Sequence, residues 1–222
     1  MTDRYPTSIC IGRTNLASSM KHFDLRIYLA HAVCWLAFAA GHLTARYRFS
    51  RTAATSPPSV ETSGGAPLRA PRARLLIGLH MVAFALLYTG IERAVFRVGM
   101  PAVPPFLRLA GALVILLGGA LMCWARLAFA SWRFRAQLDP GHQLATGGPF
   151  RFVRHPLYAG LDLLAFGTAL WIPTLLVWLG TLLMAVAGDL RARAEEVLLG
   201  RAFGDTYRQY RCRTRRFIPG LY

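Results

Sequence analysis

The sequence Gly-Gly-Pro-Phe-Arg-Phe-Val-Arg-His-Pro-Leu-Tyr-Ala-Gly, residues 147–160, joins a polar segment to a long apolar one. Pro156 suits the first position of a helix, because its missing N–H would have no partner there in any case. We therefore predict that a helix starts at Pro156. The free N–H groups and positive dipole end of its first turn, beside Arg151, Arg154 and His155, favour an anionic ligand. The same arginines are also typical of plain membrane anchors.

The composition is that of a polytopic membrane protein and not of a soluble domain. Hydrophobic residues make up 55% of the 222 residues and charged residues only 16%. The formal charge of +16 comes from basic residues that flank apolar runs, which is typical of loops beside anionic lipid, so we expect membrane lipids and not nucleic acid as partners. The four cysteines are scattered without a Cys-x-x-Cys pair, which indicates neither a disulfide framework nor a metal site.

Five apolar runs are predicted to span the membrane, which gives an all-α fold. His31 and His42 interrupt the first run, and we expect both to be satisfied inside the bundle or near an interface. Gly111, Gly118 and Gly119 give the third run a small-residue surface suited to close helix packing. The last apolar stretch is too long for one span and is predicted to form a helical hairpin, with Pro173 opening its second helix. The runs are 25–44, 75–91, 106–125 and, for the hairpin, 157–188.

The chain divides into three regions. Residues 1–24 are polar and lack a signal peptide, and Met20 is an alternative start. Residues 25–126 hold transmembrane helices 1–3, with a Ser-, Pro- and Gly-rich loop at 46–74 that we expect to be disordered. Residues 127–222 hold the hairpin and a charged tail. Residues 128–152 are predicted to lie along the interface, and the tail to form a helix at 190–202 and a second one through Tyr210, separated at Gly204.

The distribution of basic residues predicts the orientation. With the C-terminus inside, the inside segments hold 19 Lys and Arg residues and the outside segments seven. Cytoplasmic loops carry the excess, so the tail and residues 147–160 are predicted to share the cytoplasmic face. The Arg- and Ala-rich composition suggests a bacterial inner membrane.

Glu195 and Glu196 are the only adjacent carboxylates in a chain with ten acidic residues. They pair either with nearby tail arginines on the helix surface or, since neighbours on a helix point about 100° apart, one of them faces a site. Tyr207 and Tyr210 follow at a spacing that places them on one helix face. The tyrosines serve as interfacial anchors or as site residues.

These motifs together resemble one family of membrane enzymes. The run from Gly148 to Gly160, the Glu195-Glu196 pair and Phe203-Gly204-x-x-Tyr207-x-x-Tyr210 are similar to the isoprenylcysteine carboxyl methyltransferases, and membrane phospholipid N-methyltransferases share the arrangement. The resemblance runs from about Leu127 to the C-terminus. It does not extend to the first two predicted spans.

The resemblance implies an integral membrane enzyme that uses S-adenosylmethionine and methylates a lipophilic acceptor. By position, Glu195 or Glu196 would take the ammonium or ribose hydroxyls, and Tyr207 would help to close the pocket. Arg154 and Glu196 would be catalytic, and Arg151 or Arg154 would position the acceptor. The pocket lining implied by the resemblance is Gly148, His155, Pro156, Tyr158 and Gly160.

The sequence does not decide the chemical class of the methyl acceptor. A carboxylate, which we favour, needs only a cation to position it, whereas an amine or thiol needs a base, for which Glu196, Tyr158 and His155 are candidates. Asp162, one turn after Tyr158, is a carboxylate at membrane depth and either a site residue or the partner of a loop arginine. The resemblance does not extend to Asp162.

Two other functions are alternatives. An NADPH-dependent reductase of isoprenoid or sterol double bonds shares a similar Arg-His-x-x-Tyr-x-Gly stretch and a terminal Ile-Pro-Gly-x-Tyr, present here at 218–222. That family places Asp after the Gly, where this chain has Leu161. A membrane scaffold without enzymatic activity is the third alternative.

Overall fold

The computed structural model describes residues 25–52, 68–69, 73–129, 137–138 and 144–221. These residues fold into an all-α bundle, as the sequence predicts. The elements in chain order are α1 (Arg26–Thr52), β1 (Leu68–Arg69), α2 (Ala73–Glu92), a π-helical segment (Arg93–Val98), α3 (Pro105–Ala128), β2 (Gln137–Leu138), a 3-10 turn (Gly148–Arg151), α4 (Pro156–Trp171) and α5 (Leu175–Arg213). The two short strands pair antiparallel, Leu68 with Leu138.

Among the described residues, four helices are long and apolar enough to cross a membrane, namely α1, α2 with its π-helical extension, α3 and α5. The chain is therefore an integral membrane protein. The remaining predicted span corresponds to α4, which has 16 residues. At 1.5 Å per residue α4 is about 24 Å long, less than the roughly 30 Å hydrocarbon thickness.

Glycines set the distance between α3 and α4. A Cβ on Gly118 would lie 2.5 Å from the Gly160 carbonyl oxygen, and a Cβ on Gly111 would lie 2.6 Å from that of Gly167. The reverse contacts are equally tight, because a Cβ on Gly160 would lie 2.8 Å from the Gly118 oxygen. The two helices therefore run antiparallel with their backbones in contact, and the predicted small-residue surface of α3 is confirmed. This packing places the start of α4 beside the end of α3.

Helices α2 and α5 approach each other in the same way. A Cβ on Gly180 would lie 2.8 Å from the Leu87 nitrogen, and a Cβ on Gly90 would lie 2.7 Å from a methyl carbon of Val177. Residue numbers rise along α2 as they fall along α5, so these helices are also antiparallel. The start of α2 consequently lies beside the part of α5 that follows Gly180.

The two histidines of α1 are hydrogen-bonded, as predicted. His31 is hydrogen-bonded through Nδ1 to the Tyr88 hydroxyl at 3.0 Å and through Nε2 to the Thr168 hydroxyl at 2.9 Å. His42 accepts a hydrogen bond from Arg126 Nε at 2.9 Å. These contacts join α1 to α2, α3 and α4.

Several predicted boundaries were wrong. Helix α1 continues to Thr52, so the first residues of the expected disordered loop are helical. Pro173 precedes the second hairpin helix, which starts at Leu175 with Thr174 as its N-cap. The expected separate tail helix at 190–202 is instead the direct continuation of α5, because no Pro lies between the apolar and charged parts and Gly188 keeps helical backbone angles.

The break at Gly204 is confirmed, since its φ of 50° and ψ of −122° lie outside the helical region. Residues 1–24, most of the 46–74 loop and much of the expected interfacial segment 128–152 lie outside the described residues.

We expect Gly118→Ala to lower the free energy of unfolding by about 1–3 kcal/mol, because the added methyl must push two helix backbones apart. Gly78→Ala is the matched control, since nothing lies within 4 Å of a Cβ at that helical position. Thermal unfolding in detergent measures both. Equal stability of the two variants would contradict the close packing of α3 on α4.

Candidate active site

The tail folds back onto the segment that precedes α4. Val153 and Arg215 form an isolated parallel bridge. The backbone N–H of Arg154 donates to the Arg215 carbonyl at 2.7 Å, and that of His155 donates to the Arg216 carbonyl at 3.1 Å. The last residues of the chain are therefore held against the start of α4, and the middle of α5 passes beside both.

Glu196 lies at the centre of this junction and is only 7% exposed. Arg154 donates to its Oε1 through Nε at 3.0 Å, and Arg216 donates to Oε1 and Oε2 at 3.1 and 2.9 Å. Arg154 also donates to the Thr214 carbonyl, and Arg216 donates to Asp189 at 3.0 Å. One carboxylate thus joins α5, the loop before α4 and the tail.

Glu195 lies beside Glu196 in a charged cluster that also holds Arg154, His155, Tyr158 and Arg216. The Tyr158 hydroxyl donates to Glu195 Oε1, and His155 Nδ1 lies 3.6 Å from Oε2. His155 Nε2 lies 3.4 Å from Glu196 Oε1, so the imidazole stands between both carboxylates. Burial lowers the pKa of His155, but hydrogen bonding and charge from Glu195 and Glu196 outweigh it and raise the pKa above its usual value.

Tyr158 is surrounded by cationic and aromatic groups. Its ring stacks on His155 with centroids 5.8 Å apart and planes 15° apart. The His80 ring of α2 lies 5.8 Å away at 42°, and the Arg191 guanidinium lies 5.1 Å from the ring centroid. Such an electron-rich ring stabilises cations.

Tyr207 and Tyr210 share a helix face as predicted, with ring centroids 6.1 Å apart. The Tyr210 hydroxyl donates to the Phe150 carbonyl at 2.6 Å and so holds the 3-10 turn against the tail. Tyr207 is 2% exposed, and its hydroxyl has no hydrogen-bond partner among the described residues. The charges of Glu196 and Arg154 act on this hydroxyl without a hydrogen bond.

The structure brings most of the predicted site residues together, but three of them lie outside the charged cluster. Gly160 packs on α3, where a Cβ would lie 2.5 Å from Met122 Cγ. Gly148 has a φ of 58° and a Cβ there would lie 2.9 Å from that of Ala128. The Arg151 guanidinium lies 4.5 Å from the Phe152 ring centroid. The residues that meet are Arg154, His155, Pro156, Tyr158, Glu195, Glu196 and Tyr207.

Sequence reasoning missed several residues of the cluster. Arg216 is one of eight arginines in the tail, and no periodicity distinguishes it. Phe217, whose ring lies 6.1 Å from that of His155, follows it in an irregular segment. His80 belongs to a different region of the chain and reaches the cluster only through the packing of α2 on α5. The two glutamates indicate that a tail arginine compensates them, but they do not distinguish Arg216 from the other seven.

We expect the stability that His155 contributes to depend on pH. Because its folded-state pKa is raised, the contribution is complete below the unfolded pKa of about 6.5 and is lost as pH rises through the folded value. The difference in melting temperature between the wild type and His155→Gln should therefore shrink from about pH 6 to about pH 9. A difference that stays constant over this range would contradict a charged His155.

Part of the chain is similar to known methyltransferases. Residues 106–206 match the family model for phospholipid methyltransferase. The protein-S-isoprenylcysteine O-methyltransferase of Schizosaccharomyces pombe is 37% identical over 82 residues, which cover 35% of this chain. The match spans about a third, 34%, of that relative's length. Residues 106–206, which contain α3, α4 and both glutamates, are therefore similar to the phospholipid methyltransferase family.

Proposed function

We propose that the protein is an S-adenosylmethionine-dependent methyltransferase that acts on a lipophilic acceptor. The observation that carries the proposal is the meeting of Arg154, His155 and Tyr158 with Glu195 and Glu196, within a region that matches membrane methyltransferases. Residues 42 positions apart in the chain are in hydrogen-bond contact there. A lipophilic acceptor fits a site that lies at the end of apolar helices.

The residues of the cluster fit the proposed cofactor chemically. The Tyr207 hydroxyl is buried without a hydrogen-bond partner in the described part of the chain, so it has capacity for a ligand. Glu195 and Glu196 are acceptors for an ammonium group or ribose hydroxyls, and the rings of His155 and Tyr158 suit a sulfonium. Pro156 starts the helix whose free N–H groups suit the cofactor's carboxylate.

S-adenosylmethionine supplies an activated methyl group, which passes to a nucleophile by in-line displacement. Much of the reduction in barrier then comes from holding the two reactants in line. In this chain Arg154, Arg216 and Glu196 fix one another, and this fixed network holds the start of α4 against α5. His155 and Tyr158 are thereby oriented before any ligand binds.

The sequence favours a carboxylate acceptor held by Arg154 or Arg151, in keeping with the yeast relative, an O-methyltransferase. The contacts support a different role for Arg154. Its guanidinium donates to Glu196 and to the Thr214 carbonyl, so Arg154 orients Glu196 and the tail. Arg151 lies over Phe152. The acceptor's chemical class is therefore argued separately below.

The proposal places the cluster and the tail at the cytoplasmic face of a bacterial inner membrane. The support is the excess of Lys and Arg in the segments that share this face. The cofactor is synthesised and kept in the cytoplasm, so an opening on that side is required.

The family match favours methyl transfer over reduction of a double bond. Oxidation of NADPH by the purified protein, without transfer of label from methyl-labelled S-adenosylmethionine, would reverse this preference.

We expect Glu196→Gln and Arg154→Ala each to reduce methyl transfer by at least about a hundredfold, because each breaks a buried charge pair at the site. Cys123→Ser, whose thiol lies outside the cluster, should keep the wild-type rate. Transfer of label from methyl-labelled S-adenosylmethionine to host lipid extract measures all three.

The cofactor itself is tested by thermal unfolding. A ligand that binds only the folded state stabilises it by RT ln(1 + [L]/Kd), about 2.7 kcal/mol at a hundredfold excess over Kd. The wild type should gain stability with S-adenosylmethionine, and Glu196→Gln should gain less. The absence of a gain in the wild type would contradict the proposed cofactor and favour a scaffold.

A further inference from the structure

Next to the charged cluster, toward the hairpin turn, lies a carboxylate with one oxygen that makes no hydrogen bond within the described residues. Asp162 follows Tyr158 by one turn of α4, so both side chains share a face. Its two carboxylate oxygens lie 3.8 Å from the position of a Cβ on Gly188 of α5, and the Tyr158 Cβ lies 3.6 Å from that position. Asp162 Oδ1 is buried and makes no hydrogen bond within the described residues.

His80 approaches the same level from α2. It is 2% exposed, and its ring lies against that of Tyr158. Neither ring nitrogen makes a hydrogen bond of good geometry among the described residues. The carbonyl of Leu76, one turn earlier, approaches one ring N–H as a poorly aligned backbone hydrogen-bond acceptor, and the other ring nitrogen is unused in the described part of the chain. His80 thus differs from His31, both of whose nitrogens are hydrogen-bonded.

The burial of two polar groups without well-formed hydrogen bonds requires a physical explanation. A buried polar group left without a partner costs about 1–3 kcal/mol, and ionisable groups at membrane depth are costly unless they have a partner or a function. Asp162 and His80 come from different helices, and both lie against Tyr158. Of the other groups around Tyr158, Glu195 accepts the Tyr158 hydroxyl, and His155 lies between the two glutamates. Asp162 Oδ1 and His80 therefore add unused hydrogen-bonding capacity on the membrane side of the cluster.

We infer that Asp162 and His80 form the acceptor end of the site and that the acceptor atom carries an N–H or S–H proton. This inference rests on the proposed methyl transfer. Asp162 Oδ1 would accept a hydrogen bond from the N–H or S–H of such an acceptor, which an ionised acceptor carboxylate, having no proton, cannot donate. His80, with an unused ring nitrogen, accepts the proton.

The step balances. The lone pair on the acceptor nitrogen or sulfur forms the new bond to the methyl carbon, and the bond from that carbon to the donor sulfur breaks with its electron pair remaining on sulfur. The acceptor's proton passes to His80, which releases it to water when the product leaves. No oxidant, reductant or metal takes part.

The groups that face His80 and Asp162 determine the pH dependence. Tyr158 of α4 and Arg191 and Glu195 of α5 act on His80. Asp189 of α5 acts on Asp162. Because His80 must be neutral to accept a proton, the rate should fall on the acid side of its pH profile.

The test uses purified protein, methyl-labelled S-adenosylmethionine and host lipid extract. We expect the transferred label to resist mild alkali, as methyl groups on nitrogen or sulfur do, and mass spectrometry of the product distinguishes these two. Asp162→Asn and His80→Phe should each reduce transfer at least tenfold, and His80→Phe should abolish the acid limb. Both variants should bind S-adenosylhomocysteine as the wild type does. Asp205→Asn, at an exposed carboxylate, is the matched control.

The possible outcomes separate this inference from the proposal on which it rests. Label that mild alkali removes would indicate an ester and overturn the inference while leaving methyl transfer intact. Alkali-stable transfer at the wild-type rate in both variants would also overturn it, as would loss of S-adenosylhomocysteine binding in both. Absence of any transfer by the wild type would contradict the proposed function itself.

Discussion

Two adjacent carboxylates on a helix that emerges from an apolar span must be compensated by cations, and the arrangement of the whole site follows from this requirement. Glu196 is 7% exposed and is held between Arg154 and Arg216. Removing one partner from a buried pair leaves a charge that costs about 3–5 kcal/mol. The tail therefore docks where Arg216 reaches Glu196, and the backbone hydrogen bonds of Arg154 and His155 to the tail follow from that docking.

The charges can meet only because glycines bring the helices close together. The pairs Gly111 with Gly167 and Gly118 with Gly160 leave no room for a Cβ between α3 and α4. Gly180 does the same for α5 against α2. Antiparallel packing at this distance places the start of α4, the middle of α5 and the first turns of α2 at one end of the bundle. Gly160, which the resemblance of the sequence implies as a cofactor residue, contributes here through helix packing.

Local chemistry made part of this structure predictable. Pro156 predicts the start of α4 because a proline is restricted to few helix positions, and the glycines of α3 predict a close contact because small residues have that effect wherever they face a helix. Arg216 and His80 were not predictable, since their contacts depend on how the tail folds back and on the register between α2 and α5. The prediction ended this helix too early, because hydrophobicity falls where α5 leaves its apolar part, whereas the backbone of α5 stays helical.

The site is divided into two layers that differ in how far their carboxylates are satisfied. In the outer layer each carboxylate has a cation or a hydroxyl, and such a network keeps its geometry without a ligand. In the inner layer Asp162 Oδ1 and both nitrogens of His80 lack hydrogen-bond partners within the described residues. Stability alone would favour apolar side chains at these positions, because burying a polar group without a hydrogen bond lowers the free energy of unfolding. Tyr158 contacts both layers, so a molecule that satisfied the inner layer would lie against the ring that Glu195 and His155 already hold in place.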